Sequence, residues 1–448
     1  MRLHVIGLSV LSVFLGVSFA KVRTVDLNYV ISRVLAHNSD IKAAERTAAT
    51  AAVSWRKAKA EYLPDVSANA SLSHQTSGVT SSISPQAGSI DVSADMTLFN
   101  GGGTAATINQ THSTWMASTN TLEAERQTVV YNAFIQYVGT LQDSDIVRLD
   151  EENLAMENQS VAQIEAFTKS GTKSRADLLS QQSEAAQAEL TLLNARYNYE
   201  ISKLTLMKML CEDTVGVAFQ VARLLPDSND IALGITNDSI LSIAITRRQD
   251  IAAQRNTLQA SEYAIKSAKS AYWPTLSLSA GVSSAYNSSP DSAIGDVSKQ
   301  LFDNNAGFSV GASLSIPIFD RFSTRYGIET AAISKETQQA NLDDLKRQVM
   351  FDVQQAMLAY TLAQQQIPVT DIEVESAKQA LDAEQACYNV GAATHVDLIE
   401  AQVKHATAVI DRVKAIYSLA MKAVGVGYYA GTINSVLDMY LKNSPRGE

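Results

Sequence analysis

The chain has 448 residues, of which 46% are apolar and 18% charged, with a formal net charge of −10 at pH 7. An acidic balance of this size disfavours polyanionic partners such as nucleic acid. Two cysteines and six histidines leave little material for a disulfide scaffold or a metal centre.

In chain order, Arg2, an apolar run over 5–14 and the small-x-small sequence Ser18-Phe19-Ala20 read as a secretory signal peptide over 1–20, with the mature chain starting at Lys21. No cysteine near the cleavage point supports a lipid-anchored terminus. Beyond residue 20 no run of about 18 apolar residues exists, so no transmembrane helix is expected. An exported chain without a helical anchor is secreted, periplasmic, or set in an outer membrane as β-strands.

Short helices are expected over 26–61. The period then changes to two: Val66, Ala68, Ala70 and Leu72 alternate with Ser67, Asn69, Ser71 and Ser73, and Ile90, Val92, Ala94, Met96 and Leu98 do the same. Such alternation marks a sheet with one apolar and one wet face. The predicted strands, 65–74 and 89–99, are about 10 residues long, enough to cross a bilayer when tilted. The polar segment 75–88 joins them as a loop.

From 104 to 169 there is no proline and one glycine, Gly139, which predicts a helix of roughly 100 Å. The chain reverses at Ser170, Gly171, Thr172 and Lys173 and returns, so 104–210 forms one helical hairpin. A connector over 212–235 carries Gly216, Pro226 and Gly234. The order then recurs: short helices over 238–271, strands over 275–286 and 307–318, a polar loop over 287–305, and a hairpin over 323–428 that reverses at Val390, Gly391, Ala392 and Ala393. Pro368 predicts a kink in its first arm. A polar tail over 431–448 closes the chain. Cys211 and Cys387 fall at opposite ends of these hairpins, roughly 60 Å apart at 1.5 Å per residue, so no internal disulfide is expected.

The recurrence is detailed. Lys59-x-x-Tyr62-x-Pro64, Phe99, Gly171 and Asp177 return as Lys269-x-x-Tyr272-x-Pro274, Phe319, Gly391 and Asp397, and the intervals from phenylalanine to glycine to aspartate are identical. Residues 21–211 and 236–430 are therefore two copies of one unit within a single body. The fold class expected is mainly α with membrane β: four strands and two long antiparallel hairpins per chain. Four strands cannot close a membrane barrel, and open edges in hydrocarbon leave backbone groups unsatisfied, so several chains must pool their strands. Three chains would supply twelve strands and six hairpins.

These residues resemble the TolC-like outer-membrane efflux proteins over nearly the whole mature chain. The likeness rests on Arg248-Gln249-Asp250-Ile251, the duplicated Tyr-x-Pro strand entry, Leu98-Phe99-Asn100-Gly101-Gly102, Pro317-Ile318-Phe319-Asp320, and Tyr388-Asn389-Val390-Gly391 leading to Val396-Asp397-Leu398. It implies a homotrimer whose 12-stranded barrel, set in outer-membrane lipid, continues into an α-helical barrel across the periplasm. Such a conduit docks a periplasmic adaptor joined to an inner-membrane transporter, in drug efflux or type I secretion. Three departures stand out: Asn38-Ser39-Asp40 and Arg248-Gln249-Asp250 lack the usual central proline, Arg321-Phe322 replaces a glycine pair, and Ala393 stands where the family has an arginine.

The resemblance also implies roles at the tips. Asp397 and Glu400 would line the pore constriction as acidic rings, and Asp177 with Tyr388 would belong to a network holding it shut, Lys173 or Arg175 standing in for the missing arginine. Read on their own, Ser174-x-x-Asp177 and Thr394-x-x-Asp397 are equally capping boxes. Ser170, Gly171, Thr172, Val390, Gly391 and Ala392 are the adaptor-docking candidates, although the glycines also suit the positive φ of a tight reversal. His395 and His405 are expected to be solvated. No histidine pattern matches a metal site, Gly101-Gly102-Gly103 lacks the ending of a phosphate loop, and no nucleophile elbow is present, so no enzyme, cofactor or metal is expected. A periplasmic adaptor and a trimeric surface adhesin with a coiled-coil stalk are the alternatives; neither needs internal membrane-length strands or a whole-chain duplication.

Overall fold

The computed structural model describes residues 23–74, 86–212, 219–222, 237–287, 299–301 and 305–442. The expected signal peptide, residues 75–85 of the loop expected over 75–88, and most of the loop expected over 287–305 and of the connector lie outside the described residues; residues 86–88 belong to a strand instead.

A short strand β1 (Arg23–Val25) leads into α1 (Leu27–His37) and α2 (Ser39–Ala60). Asn38 caps α2 by accepting from the amides of Asp40 and Ile41, at 2.8 and 3.1 Å, which a proline in the middle of that motif would not alter. Then come β2 (Asp65–His74), β3 (Gln86–Asn100), α3 (Gly103–Lys169), α4 (Arg175–Leu210) and β4 (Phe219–Val221). The second unit repeats the order with α5 (Asn237–Arg247), α6 (Gln249–Ser270), β5 (Thr275–Asn287), β6 (Gly307–Ser315), α7 (Ser323–Asn389) and α8 (His395–Tyr429), followed by α9 (Ile433–Lys442). No described helix is long and apolar enough to cross a membrane. α7 runs through Pro368 as one helix.

The sheet has the order β2-β3-β5-β6, antiparallel throughout, so both repeats join edge to edge and β2 and β6 remain free edges. Cross-strand register sorts the side chains by face. Ala68 lies opposite Val92, Leu278 opposite Ala312, and Val282 opposite Phe308, all on the apolar face. On the other face Ser67 meets Ser93, Asn69 donates to Asp91 at 3.1 Å and Ser71 meets Ser89 at 2.8 Å. β6 stops at Ser315, short of the expected 318, because Pro317 cannot donate to a ladder.

At the other levels the chain is again an arc with two ends. α2, α3, α6 and α7 pack in that order below the sheet, and α4, α3, α8 and α7 in that order further down. Two apolar clusters anchor the waist. One joins α1, α3, α4, α8, α9 and the β1–β4 pair around Phe134, Tyr137 and Tyr417; the other joins α5, α6, α7 and α8 around Ile251, Val349 and Val353. Polar bonds brace the first of them: Tyr137 on α3 donates to the Ala222 carbonyl beside β4 at 2.6 Å, and Tyr417 on α8 to Asp145 on α3 at 2.7 Å. Arg248 forks onto Asp250 and reaches the Tyr429 carbonyl, tying the start of α6 to the end of α8.

Two expectations need correction. The connector contributes β4, parallel to β1, which a three-residue strand without periodicity could not reveal. The segment after 430 is not wholly a polar tail: Ile433, Val436, Leu437 and Tyr440 form the buried stripe of α9, at helical spacing. The strand-to-helix joints also differ. Gly101 and Gly102 adopt φ of 66° and 82°, and a Cβ at Gly101 would sit 2.5 Å from Trp273 Cβ. In the second repeat Arg321 and Phe322 take the same left-handed region at 57° and 64°, a conformation that costs roughly 1–2 kcal/mol per side-chain-bearing residue.

Leu437 is buried in the waist core, so Leu437→Ala should lower the stability of that region by about 2–5 kcal/mol. Thermal melts followed by circular dichroism would register the loss as an earlier transition, whereas substitution of the exposed Met439 should leave the transition within error.

Candidate functional site

The site lies where both hairpins reverse. In the first, Ser170 ends α3 and Gly171 turns at φ 77°, while the amides of Thr172 and Lys173 bond the Phe167 carbonyl at 2.9 and 3.3 Å. The Ser170 hydroxyl also donates to that carbonyl and meets the Thr172 hydroxyl at 2.9 Å. In the second, Gly391 turns at φ 79° and the Ala392 amide bonds the Cys387 carbonyl at 2.8 Å. Both glycines thus close helix ends in the left-handed conformation, and a Cβ on either would meet nothing within 4 Å. Val390, like both glycines, is exposed.

Asp177 and Asp397 are helix caps. Each accepts from the backbone of its N-cap residue, at 3.1 Å from Ser174 and 3.0 Å from Thr394, while the cap hydroxyl accepts from the aspartate amide. Both capping boxes are complete. Hydrogen bonds from Thr394 hold the Asp397 carboxyl below the usual carboxylate range. For Asp177 desolvation pushes the other way, yet the Ser174 hydrogen bonds and the charges of His395 and Lys173 bring it below that range as well. Asp397 and Glu400 share the exposed face of α8, and Glu400 pairs with Lys404 at 2.7 Å. An exposed i,i+4 pair of this kind holds weakly and leaves the charges accessible.

Tyr388 is where the two tips meet. It is buried, the Lys173 ammonium sits 3.9 Å from its ring centroid, and His395 packs beside it at 5.6 Å. The first tip's lysine therefore does meet the second tip, through a cation–π contact, while Arg175 makes no ion pair among the described residues. His395 departs from expectation: it is only 6% exposed, and neither ring nitrogen has a hydrogen-bond partner among the described residues. Burial, with Lys173 adding to it and Asp177 opposing, lowers its pKa below the ordinary histidine value. Its burial was legible in principle, since His395, Leu398, Ala401 and Ala408 fall on one helical face. Higher up the hairpin, Gln181 donates to the buried Glu157, whose carboxyl burial pushes up. Cys211 and Cys387 are free and exposed, and among the described residues no group of three or more His, Cys, Asp or Glu is placed to hold a metal ion.

A neutral, buried His395 favours the folded tip above the unfolded histidine pKa of about 6.5, and that contribution is lost as pH falls through the lowered folded value. Amide exchange at the two tips should accordingly quicken as pH drops from about 6.5 toward 5, once corrected for intrinsic rates. His395→Phe should flatten the curve until the capping carboxylates protonate near or below pH 4; an unchanged curve would remove His395 as its source.

Comparisons with known proteins agree with this geometry. A family profile described as "Outer membrane efflux protein" matches residues 30–212 and 240–431. The outer membrane efflux protein BepC of Brucella suis is 23% identical over 347 residues, covering 77% of this chain and 72% of BepC. The alkaline protease secretion protein AprF of Pseudomonas aeruginosa is 20% identical over 338 residues, 74% of this chain and 68% of AprF. Among solved structures, the Campylobacter jejuni CmeC outer membrane channel superposes with a TM-score of 0.78 at 19% identity, covering 94% of this chain and 90% of that one.

Proposed function

The chain belongs to the outer membrane efflux protein family, and on that premise we propose that three copies close into a duct carrying cargo from an inner-membrane transporter and its periplasmic adaptor across the periplasm and outer membrane. The observation that carries this reading is the arc with open edges at every level. β2 and β6 have unpaired backbone edges. Lower down, the end helices carry unpartnered apolar stripes: Leu190, Leu193, Tyr197, Ile201 and Leu204 on α4, and Phe351, Leu358, Leu362, Val369 and Ile372 on α7. Their near-heptad spacing suits helix packing between copies, with α4 of one against α7 of the next. No catalytic step is assigned to the protein. An efflux relative and a protease-secretion relative match it alike, so efflux and type I secretion share this architecture.

In the closed duct three copies of Asp397 and Glu400 form acidic rings that favour cations at the constriction, while the same aspartates cap α8. Asp177, Lys173, Tyr388 and His395 latch the two tips of each copy together. The exposed tip loops, with Ser170, Gly171, Thr172, Val390, Gly391 and Ala392, form the adaptor-docking surface.

Planar-bilayer recordings test the rings. Glu400→Gln, which leaves the cap intact, should weaken cation selectivity and raise the concentration of multivalent cation needed for block, and Asp397→Asn should add to both; unchanged selectivity in the pair would exclude the rings. For docking, Ala392→Trp adds bulk at the exposed tip without touching either glycine. It should leave trimer assembly intact and abolish export in cells. Normal export with that variant would place the adaptor elsewhere.

A further inference from the structure

Between the two hairpins lies a cavity of about 260 Å³, bounded by α3, α4 and α8 and, at 1.5 Å per residue, roughly 20–30 Å above the tips. It belongs to one chain. In the order α4, α3, α8, α7 both α3 and α8 have neighbours from the same chain on either side. On α4 the cavity is lined by Glu184, Gln187, Ala188 and Thr191, which at about 100° per residue stand roughly 130° around the helix from the stripe, Leu190 to Leu204, that faces the next copy.

Its charged lining is of one sign. Asp150, Glu152, Glu157 and Glu184 line it, with His405 on α8 and no lysine or arginine. Asp150 and Glu157 are only 4% and 6% exposed, so their surroundings are set within the chain. Asp150 accepts no hydrogen bond and makes no ion pair among the described residues; Lys414, whose charge reaches it, pairs with Asp411 at 3.3 Å instead. Glu157 accepts from Gln181. Burial pushes both carboxyls above the ordinary range, Lys414 opposing it at Asp150 and Gln181 at Glu157, where Glu184 adds to it. A carboxylate held in this way gains more from a cation than one in water does.

Spacing selects the cation. Asp150 and Glu157 lie seven residues apart on one face of α3, roughly 10 Å along its axis, too far to share one metal ion at ligand distances of about 2–3 Å. Between them the walls are apolar, with Met156, Ala188, Ala406 and Ile410. We propose that the cavity binds a linear aliphatic polyamine, one per chain, with its terminal ammonium groups on Asp150 and Glu157 and its methylene chain along the apolar walls. Because α8 belongs to the other hairpin, an occupied cavity favours the relative setting of the hairpins that forms it.

Titration calorimetry of the full-length protein in detergent, with spermidine as the probe and propylamine as the single-charge control, tests the site. The wild type should take one spermidine per chain, at least about tenfold more tightly than propylamine. Asp150→Asn/Glu157→Gln, which keeps the side-chain shapes, and Ala406→Leu, which fills the cavity with both carboxylates in place, should each weaken spermidine at least about tenfold with helical circular dichroism intact. Equal affinity for the two amines, or wild-type affinity in either variant, would overturn the site. So would loss of spermidine binding in Asp397→Asn/Glu400→Gln alone, which would move the polyamine to the tip rings. A chain that binds spermidine in this way but never trimerises would count against the duct and leave the cavity site standing.

Discussion

Unpaired backbone in hydrocarbon is the constraint on which the rest of this architecture depends. A four-stranded sheet satisfies its interior ladders and leaves the amides and carbonyls of β2 and β6 without partners. Water cannot supply them in a bilayer, and each orphan costs several kcal/mol. Closure by further copies is the physical remedy. It also gives the polar ladder of Ser67, Ser93, Asn69 and Asp91 an aqueous interior, with the valines and leucines of the other face turned to lipid.

The helices inherit the same arc. Each joint delivers a long helix directly below its strand pair, and the bond from Tyr417 to Asp145 joins the two hairpins, while those of Tyr137 and Arg248 brace the first and second repeat internally. Helices of this length gain little from local propensity alone; what holds them is a packed face. α4 packs one stripe, including Gln181, Ala185, Ala188 and Leu192, against α3 and leaves a second on its free side. The isolated chain is thus half of every interface it needs. The family match and the superposition on a channel of the same fold are consistent with that incompleteness.

Much of the fold was legible because it rests on periodicity. Alternation over β2, β3, β5 and β6 and the uninterrupted stretches of α3 and α7 carry strong local signals, and the duplication checks each against the other. What escaped depends on tertiary contact. β4 exists because β1 lies beside it, and α9 is ordered by the waist core rather than by its own ten residues. At the tips, the caps could be read from Ser174, Asp177, Thr394 and Asp397. The cation–π contact of Lys173 with the Tyr388 ring could not, since it depends on how two distant turns come together, whereas the burial of His395 beside Tyr388 had a signal in the helical face it shares with Leu398, Ala401 and Ala408. Ala393 pointed to a rearranged tip with Lys173 or Arg175 as the stand-in, and of the two it is Lys173 that reaches Tyr388.

Pairing of β2 with β6 of the next copy is the step that closes the duct. Single cysteines scanned along β2 and along β6, in pairs and in a background lacking Cys211 and Cys387, would report it through oxidative crosslinking in intact outer membranes. One set of pairs, in consistent antiparallel register, should yield covalent species ending at the mass of three chains. Crosslinks absent at every pairing, or a ladder that stops at two chains or continues past three, would contradict it.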